Sequence, residues 1–280
     1  RSGLLYSEMR NLFTIEGLGP KPTGTAIVRC GGVPICTIDG RPDQAFLKEQ
    51  MRFVRNYADL RMDRLAEINQ QIYDIMSFFG GAGRLDGSQR QRTLEMLTAV
   101  QLVTYDIEML VKHICWTPRP IDMSTFVTPM IQTPDHSSFP SGHAAEAFSV
   151  ATALQVFLDR VGPPAQGWPS TARIAHRIAV NRTVAGVHFP VDSAAGSVLG
   201  HAIAGTLMTI AQSSEKHPNL DTHHFRLAAE QTECGEELEA SFKETDDFTT
   251  DWLKAHRPEA TVAANCEIDA PILKENWSAA

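Results

Sequence analysis

The stretch Phe139-Pro140-Ser141-Gly142-His143-Ala144-Ala145-Glu146-Ala147-Phe148, "FPSGHAAEAF", puts proline, serine and glycine in front of a histidine that opens an alanine-rich apolar run. Those three residues are poor in a helix interior and useful at its start. Proline is tolerated at the first helical position, serine caps the helix, and glycine lets the backbone approach a neighbour closely. The N–H groups at such a terminus lack intrahelical partners and bind anions. The segment therefore predicts a helix entry that can seat an oxyanion, with the titratable ring of His143 beside it. An ordinary capped helix has the same local pattern, so charges elsewhere in the chain must decide.

The chain of 280 residues is 43% hydrophobic and 21% charged, enough for one large core or two modest ones. Its net charge of −8 is uneven: residues 212–280 hold 15 of the 33 acidic but 6 of the 25 basic residues, so the body is nearly neutral. A nucleic-acid surface is not expected, because phosphate-backbone binding needs clustered Lys and Arg. Cys30, Cys36, Cys115, Cys234 and Cys266 are scattered and odd in number, which argues against a disulfide framework. Cys30 and Cys36 flank a short loop and could close it or supply half of a zinc site, yet no second ligand pair has matching spacing. Reduced thiols in a cytoplasmic protein are the default expectation. A start at Arg1 rather than Met leaves a secreted or periplasmic origin open. Ala194 to Ala211 is an uncharged run of 18 residues if His201 is neutral; it is rich in Gly and Ala and stands alone, so it reads as a buried core helix, and no membrane span is expected.

Three regions emerge: an irregular N-terminal arm (1–42) with Gly and Pro clusters, a helical catalytic domain (43–212), and an acidic C-terminal extension (213–280). Between Asp43 and Phe79, Leu65, Ile68, Ile72, Ile75 and Phe79 recur at helical spacing until Gly80-Gly81-Ala82-Gly83. Leu94, Leu97, Val100, Val103, Ile107, Leu110 and Ile114 trace a second long helix, stopped by Thr117-Pro118 and Arg119-Pro120. Further helices are predicted near 142–160, 171–183 and 191–212, with shorter helical patterns near 224–240 and 244–256. No strand-like alternation stands out, so the expected fold is all-α, a bundle packed around one core. The long apolar faces within 45–115 exceed what a catalytic bundle needs and suggest a homodimer.

Lys112 lies between Met109-Leu110-Val111 and Ile114-Cys115-Trp116, so its ammonium must find water or a buried anion. Arg182 has similarly apolar flanks. His188 and Asp192 are four apart, with Pro190 between them at a helix entry, and Asp192 can accept from one ring nitrogen and so fix the tautomer of His188. Asp221, His223 and His224 are metal-ligand types, but in a polar, acidic segment they read more simply as surface residues.

Taken together, Lys112-x6-Arg119-Pro120, Pro140-Ser141-Gly142-His143 and Arg182-x5-His188-x3-Asp192 resemble, in order and spacing, the three-part signature of the phosphatidic acid phosphatase type 2 and vanadium haloperoxidase superfamily. The resemblance covers Lys112 to Asp192, under a third of the chain. It implies a helical bundle of that family's type. Lys112, Arg119 and Arg182 would neutralise the oxygens of phosphate or vanadate, with the Arg forks binding bidentately. Ser141 and Gly142 would add N–H donors. His188, held by Asp192, would be the nucleophile or the vanadium-bonding nitrogen, and His143 the general acid–base. Asn181 stands where the family usually has serine, so a change in the support around Arg182 is expected.

One such pocket serves two reactions. The favoured expectation is a vanadium-dependent haloperoxidase that oxidises halide with hydrogen peroxide at a histidine-bound vanadate. Bromide is preferred because His136 precedes His143 by seven residues, the spacing of an extra histidine in bromide-oxidising members. The alternative is a soluble phosphatase that hydrolyses phosphomonoesters through a phosphohistidine and needs no cofactor; Phe139, where haloperoxidases more often have tyrosine, favours it. A third class is a silent anion-binding protein.

Overall fold

The longest helices follow the apolar stripes. The computed structural model describes residues 2–19, 24–163, 167–215, 218–227, 240–243, 245–255, 261–262 and 268–280. Helix α1 (Ser2–Asn11) precedes the first strands. The pattern predicted over 43–79 is divided into α2 (Gln44–Tyr57), a 3-10 turn, α3 (Arg61–Gln71) and α4 (Met76–Gly83). Asp43 caps α2 by accepting from the Phe46 N–H at 2.8 Å, and Asp74 accepts from the Ser77 N–H at 3.0 Å where α4 begins. Next come α5 (Gln91–Ile114), which buries Met96, Leu97, Val100, Val103, Ile107 and Val111 along one side, and the short α6 (Pro120–Met123).

A central bundle is built by α7 (Gly142–Val161), α8 (Ser170–Val184) and α9 (Pro190–Gln212). Helices α7 and α9 meet through small residues: a Cβ on Gly200 would stand 2.1 Å from the Ala145 carbonyl oxygen, and one on Gly196 would stand 2.4 Å from that of Ser141. This close approach sets the N-terminus of α7 against that of α9, and the Ser141 N–H donates to the Asp192 carbonyl at 2.8 Å.

The expectation of an all-α chain is overturned by a six-stranded mixed sheet. Strands β1 (Phe13–Leu18), β2 (Thr25–Cys30) and β3 (Val33–Asp39) run antiparallel, and β4 (Asp221–Leu227) adds to β3 in parallel with Cys36 opposite His223. Strand β5 (Ala240–Phe242) continues in parallel, while β6 (Thr261–Val262) pairs antiparallel with the start of β4. The N-terminal arm is therefore not irregular. Its glycines punctuate a hairpin: Gly31 and Gly32, at φ 56° and 86°, make the two-residue left-handed turn that suits the twist of paired strands. The helical reading of 224–240 fails over 224–227, which belong to β4, and 228–239 lie outside the described residues. In the C-terminal part, α10 (Thr250–Ala255) and α11 (Pro271–Ala279) complete the described elements.

Cys30, Cys36 and Cys115 are buried thiols, and burial pushes Cys36 and Cys115 each up to about 12. Cys36 faces Val28 in the ladder and Cys30 faces Val33, so the two occupy different rungs of one hairpin. Cys234 and Cys266 lie outside the described residues.

The expectation of no membrane span is also corrected. Among the described residues α9 is long and apolar enough to cross a membrane, with 23 residues and a mean hydropathy of 1.4 in its most apolar window. In this fold 83% of that window is buried inside the protein.

Candidate active site

Three chain segments converge at the N-termini of α7 and α9 and the C-terminus of α8. His188 sits in the turn before α9. Its Nδ1 lies 3.0 Å from Asp192 Oδ2 and 3.3 Å from Ser138 Oγ, and Ser138 Oγ also donates to that carboxylate oxygen. A carboxylate can only accept, so Nδ1 carries the proton and Nε2 keeps its lone pair. Asp192 also accepts from the Phe189 N–H at 2.9 Å. Arg119 lies across Nε2, with Nη1 3.4 Å away, and it donates to the carbonyls of Val187 at 2.8 Å and His136 at 3.1 Å.

On the other side, His143 Nε2 donates to the Gln71 carbonyl at 3.0 Å. Arg182, fully buried, donates through Nη2 to Gln71 Oε1 at 2.7 Å, while its Nε and Nη1 have no partner. Buried guanidinium N–H groups are rarely left unpaired, so these two donors are candidate contacts for an anion. Lys112 behaves differently from the expectation. Its ammonium donates to the carbonyls of Ser137 at 3.2 Å, Ser138 at 3.4 Å and Pro140, and so organises the loop ahead of α7. Ser141 is likewise occupied: its N–H serves Asp192, and its hydroxyl accepts from the Ala144 N–H at 3.4 Å as the helix cap. Gly142 and His143 thus supply the leading amides of α7.

The electrostatics agree with an anion seat. Burial first, then Arg119 and Lys112, push the His188 imidazole well below its ordinary range, so it is neutral. Charge on His143 also disfavours charge on His188. Burial followed by Arg182 lowers His143 to about 3, and burial lowers Arg182 to about 10, still cationic near neutrality. A bound dianion would offset these cations and raise both imidazoles.

The substitution at 181 has a structural reason. Asn181 Nδ2 donates to Glu67 Oε2 and Gln71 Oε1, each at 3.1 Å, and its Oδ1 accepts from Arg64 at 2.9 Å. Serine is too short to make all three contacts. Arg177 adds a two-pronged bond to Glu67, at 2.7 and 2.5 Å, so α3 is tied to α8 along its length. Gln71, which touches both His143 and Arg182, carried no sequence signal; it belongs to no motif and reaches the site only because α3 ends there.

His136 is brought to the rim, with Nδ1 3.4 Å from Arg119 Nη2, in addition to its carbonyl contact with the same guanidinium. Asp221, His223 and His224 are not brought there. They lie on β4, where the His223 ring packs against His201 at 5.4 Å and His224 lies 3.7 Å from Asp39. Among the described residues no three such side chains group as metal ligands. A cavity of about 410 Å³ between α7, α8 and α9, bordered by Trp168 and His201, contains none of the signature residues.

Residues 93–216 match the model of the PAP2 superfamily. A decaprenylphosphoryl-5-phosphoribose phosphatase, found in two strains of Mycobacterium tuberculosis, is 27% identical over 128 residues, covering 46% of this chain and 67% of that protein. A crystal structure described as the first transmembrane PAP2 type phosphatidylglycerolphosphate phosphatase from Bacillus subtilis shares 18% identity at a TM-score of 0.39. It covers 58% of this chain and 84% of its own, a likeness too loose to carry an argument. The cytoplasmic expectation is corrected and not retained, since the curated relatives are named for a decaprenylphosphoryl substrate. The match over 93–216, which contains every residue of the three-part signature, identifies that segment as a member of the PAP2 superfamily.

Proposed function

We propose that the chain is a phosphatase that hydrolyses phosphate monoesters through a phosphohistidine at His188. The observation that supports this best is the pairing of a neutral, Asp192-oriented His188, its Nε2 against Arg119, with two partnerless Arg182 donors. The Nε2 lone pair attacks phosphorus, and the bond from phosphorus to the ester oxygen breaks. His143 gives a proton to the leaving oxygen. Its Nε2–H is held by Gln71, so Nδ1 is the nitrogen that exchanges this proton. Water then attacks phosphorus, His143 takes up a proton from it, and Nε2 departs with its lone pair, releasing orthophosphate. Arg119, Arg182 and the leading amides of α7 neutralise the charge that spreads over the phosphoryl oxygens.

This chemistry needs no resident cofactor. The curated relatives are named as phosphatases, which supports this reading over a peroxidase. Vanadate would be held by the same Arg119, Arg182 and His188, as an inhibitor. The position of His136 supports it as a brace for Arg119.

The test is hydrolysis of p-nitrophenyl phosphate by the purified protein, alongside peroxide-dependent bromination after vanadate loading. Hydrolysis with trapping of an acid-labile phosphoenzyme supports the reading; bromination without hydrolysis overturns it. His143→Ala is expected to slow an alkyl phosphate by about 100-fold or more, and p-nitrophenyl phosphate less, because nitrophenolate leaves without protonation. Equal losses on both esters would remove His143 from the role of acid.

A further inference from the structure

Glu108 lies on α5 one turn before Lys112, outside the signature, and is 2% exposed. Its Oε2 is 3.9 Å from Lys112 Nζ and makes no hydrogen bond, because the ammonium is held by the three loop carbonyls. Across the helix interface the same carboxyl presses on the first residue of α7. A Cβ on Gly142 would stand 2.5 Å from both of its oxygens, so the glycine in Ser141-Gly142-His143 makes room for Glu108. The charged groups facing this carboxyl are Lys112 on its own helix, Glu146 on α7 and Arg119 ahead of α6. Glu146 is itself tied to α5 by the Gln101 side chain at 2.8 Å.

An ionised oxygen without a hydrogen bond in so enclosed a place is strongly disfavoured. Burial pushes Glu108 up to about 8, with Glu146 reinforcing it and Lys112 and Arg119 opposing. We infer that Glu108 is a positioning residue whose charge sets the affinity of the anion seat. Neutral, it fixes α5 against the entry of α7 and leaves that terminus to the substrate; ionised, it stands directly behind Gly142 and repels the incoming anion. The inference rests on reading the seat as an anion site.

Tungstate, a tetrahedral dianion over this range, is titrated calorimetrically into the intact protein from about pH 7 to about pH 9.5. The affinity of the unaltered protein is expected to fall roughly tenfold as Glu108 ionises, whereas Glu108→Gln, which cannot ionise, shows a flat profile. A fall that persists in Glu108→Gln, or moves to lower pH, would overturn the inference by assigning the titration to Lys112. Should that variant not fold, carbon-13 NMR of the glutamate carboxyls in the unaltered protein decides: a buried carboxyl whose titration moves upward on tungstate binding supports the inference, and an unmoved one overturns it. Tungstate reports on the seat without turnover. A protein that shows this profile but hydrolyses no ester refutes the phosphatase reading alone, and a pH-independent affinity refutes the role of Glu108 whatever the turnover.

Discussion

His188→Ala abolishes the phosphoenzyme and lowers turnover by about 10⁴-fold or more, the scale on which removal of a covalent nucleophile is felt. The loss concentrates in turnover because the groups that neutralise the anion remain: Arg119 keeps its bonds to Val187 and His136, and Arg182 keeps its bond to Gln71. Tungstate affinity should therefore fall far less than the rate. Rapid quenching with phosphorus-32 substrate checks the first point and calorimetry the second. If acid-labile phosphate still accumulates on the variant, the nucleophile is another residue, and the assignment built on Asp192 fails with it.

The second large effect is on stability. Gly200→Ala should cost about 3 kcal/mol, the upper range for forcing a methyl group into a packed core, because the new Cβ would fall 2.1 Å from the Ala145 carbonyl oxygen. Backbone cannot give way as a side chain can, so α7 and α9 must separate. Separation also breaks the bond from the Ser141 N–H to the Asp192 carbonyl that aligns the two halves of the site. Gly205→Ala is the control on the same helix: a Cβ there meets nothing within 4 Å, and the change should stabilise by up to about 1 kcal/mol through helix propensity. Urea unfolding of the two variants separates the outcomes. Equal midpoints would mean that α7 and α9 are not in backbone contact.

The long stripes of α5, α7 and α9 were readable because amphipathic periodicity is a local property, as was the serine-glycine entry of α7. The sheet was missed for two reasons. In β2 the inward residues Ala26, Val28 and Cys30 alternate with a half-exposed Ile27, which blurs the period of two. In β4 the pattern Asp-Thr-His-His looks polar although His223 and Phe225 point inward. The parallel pairing of β3 with β4 joins residues near 38 to residues near 225, a separation no window of sequence can see. Glu108 did leave a trace, a carboxylate one turn before a lysine in an apolar helix, but its contact with Gly142 belongs to helix packing.

What the sequence alone determined is the set of chemical groups and their spacing along the chain: two imidazoles, three cations, one orienting carboxylate, and the helices that carry them. Spacing along a helix converts directly into position on it, so those features are local. Only tertiary structure decided what each of these groups touches. It turned Lys112 toward loop carbonyls, brought Gln71 to both His143 and Arg182, left two Arg182 donors open, and set Glu108 behind Gly142. The physical reason is that burial, hydrogen-bond competition and the close approach of α7 to α9 depend on neighbours distant in the chain, and these neighbours determine what each charged side chain is free to do.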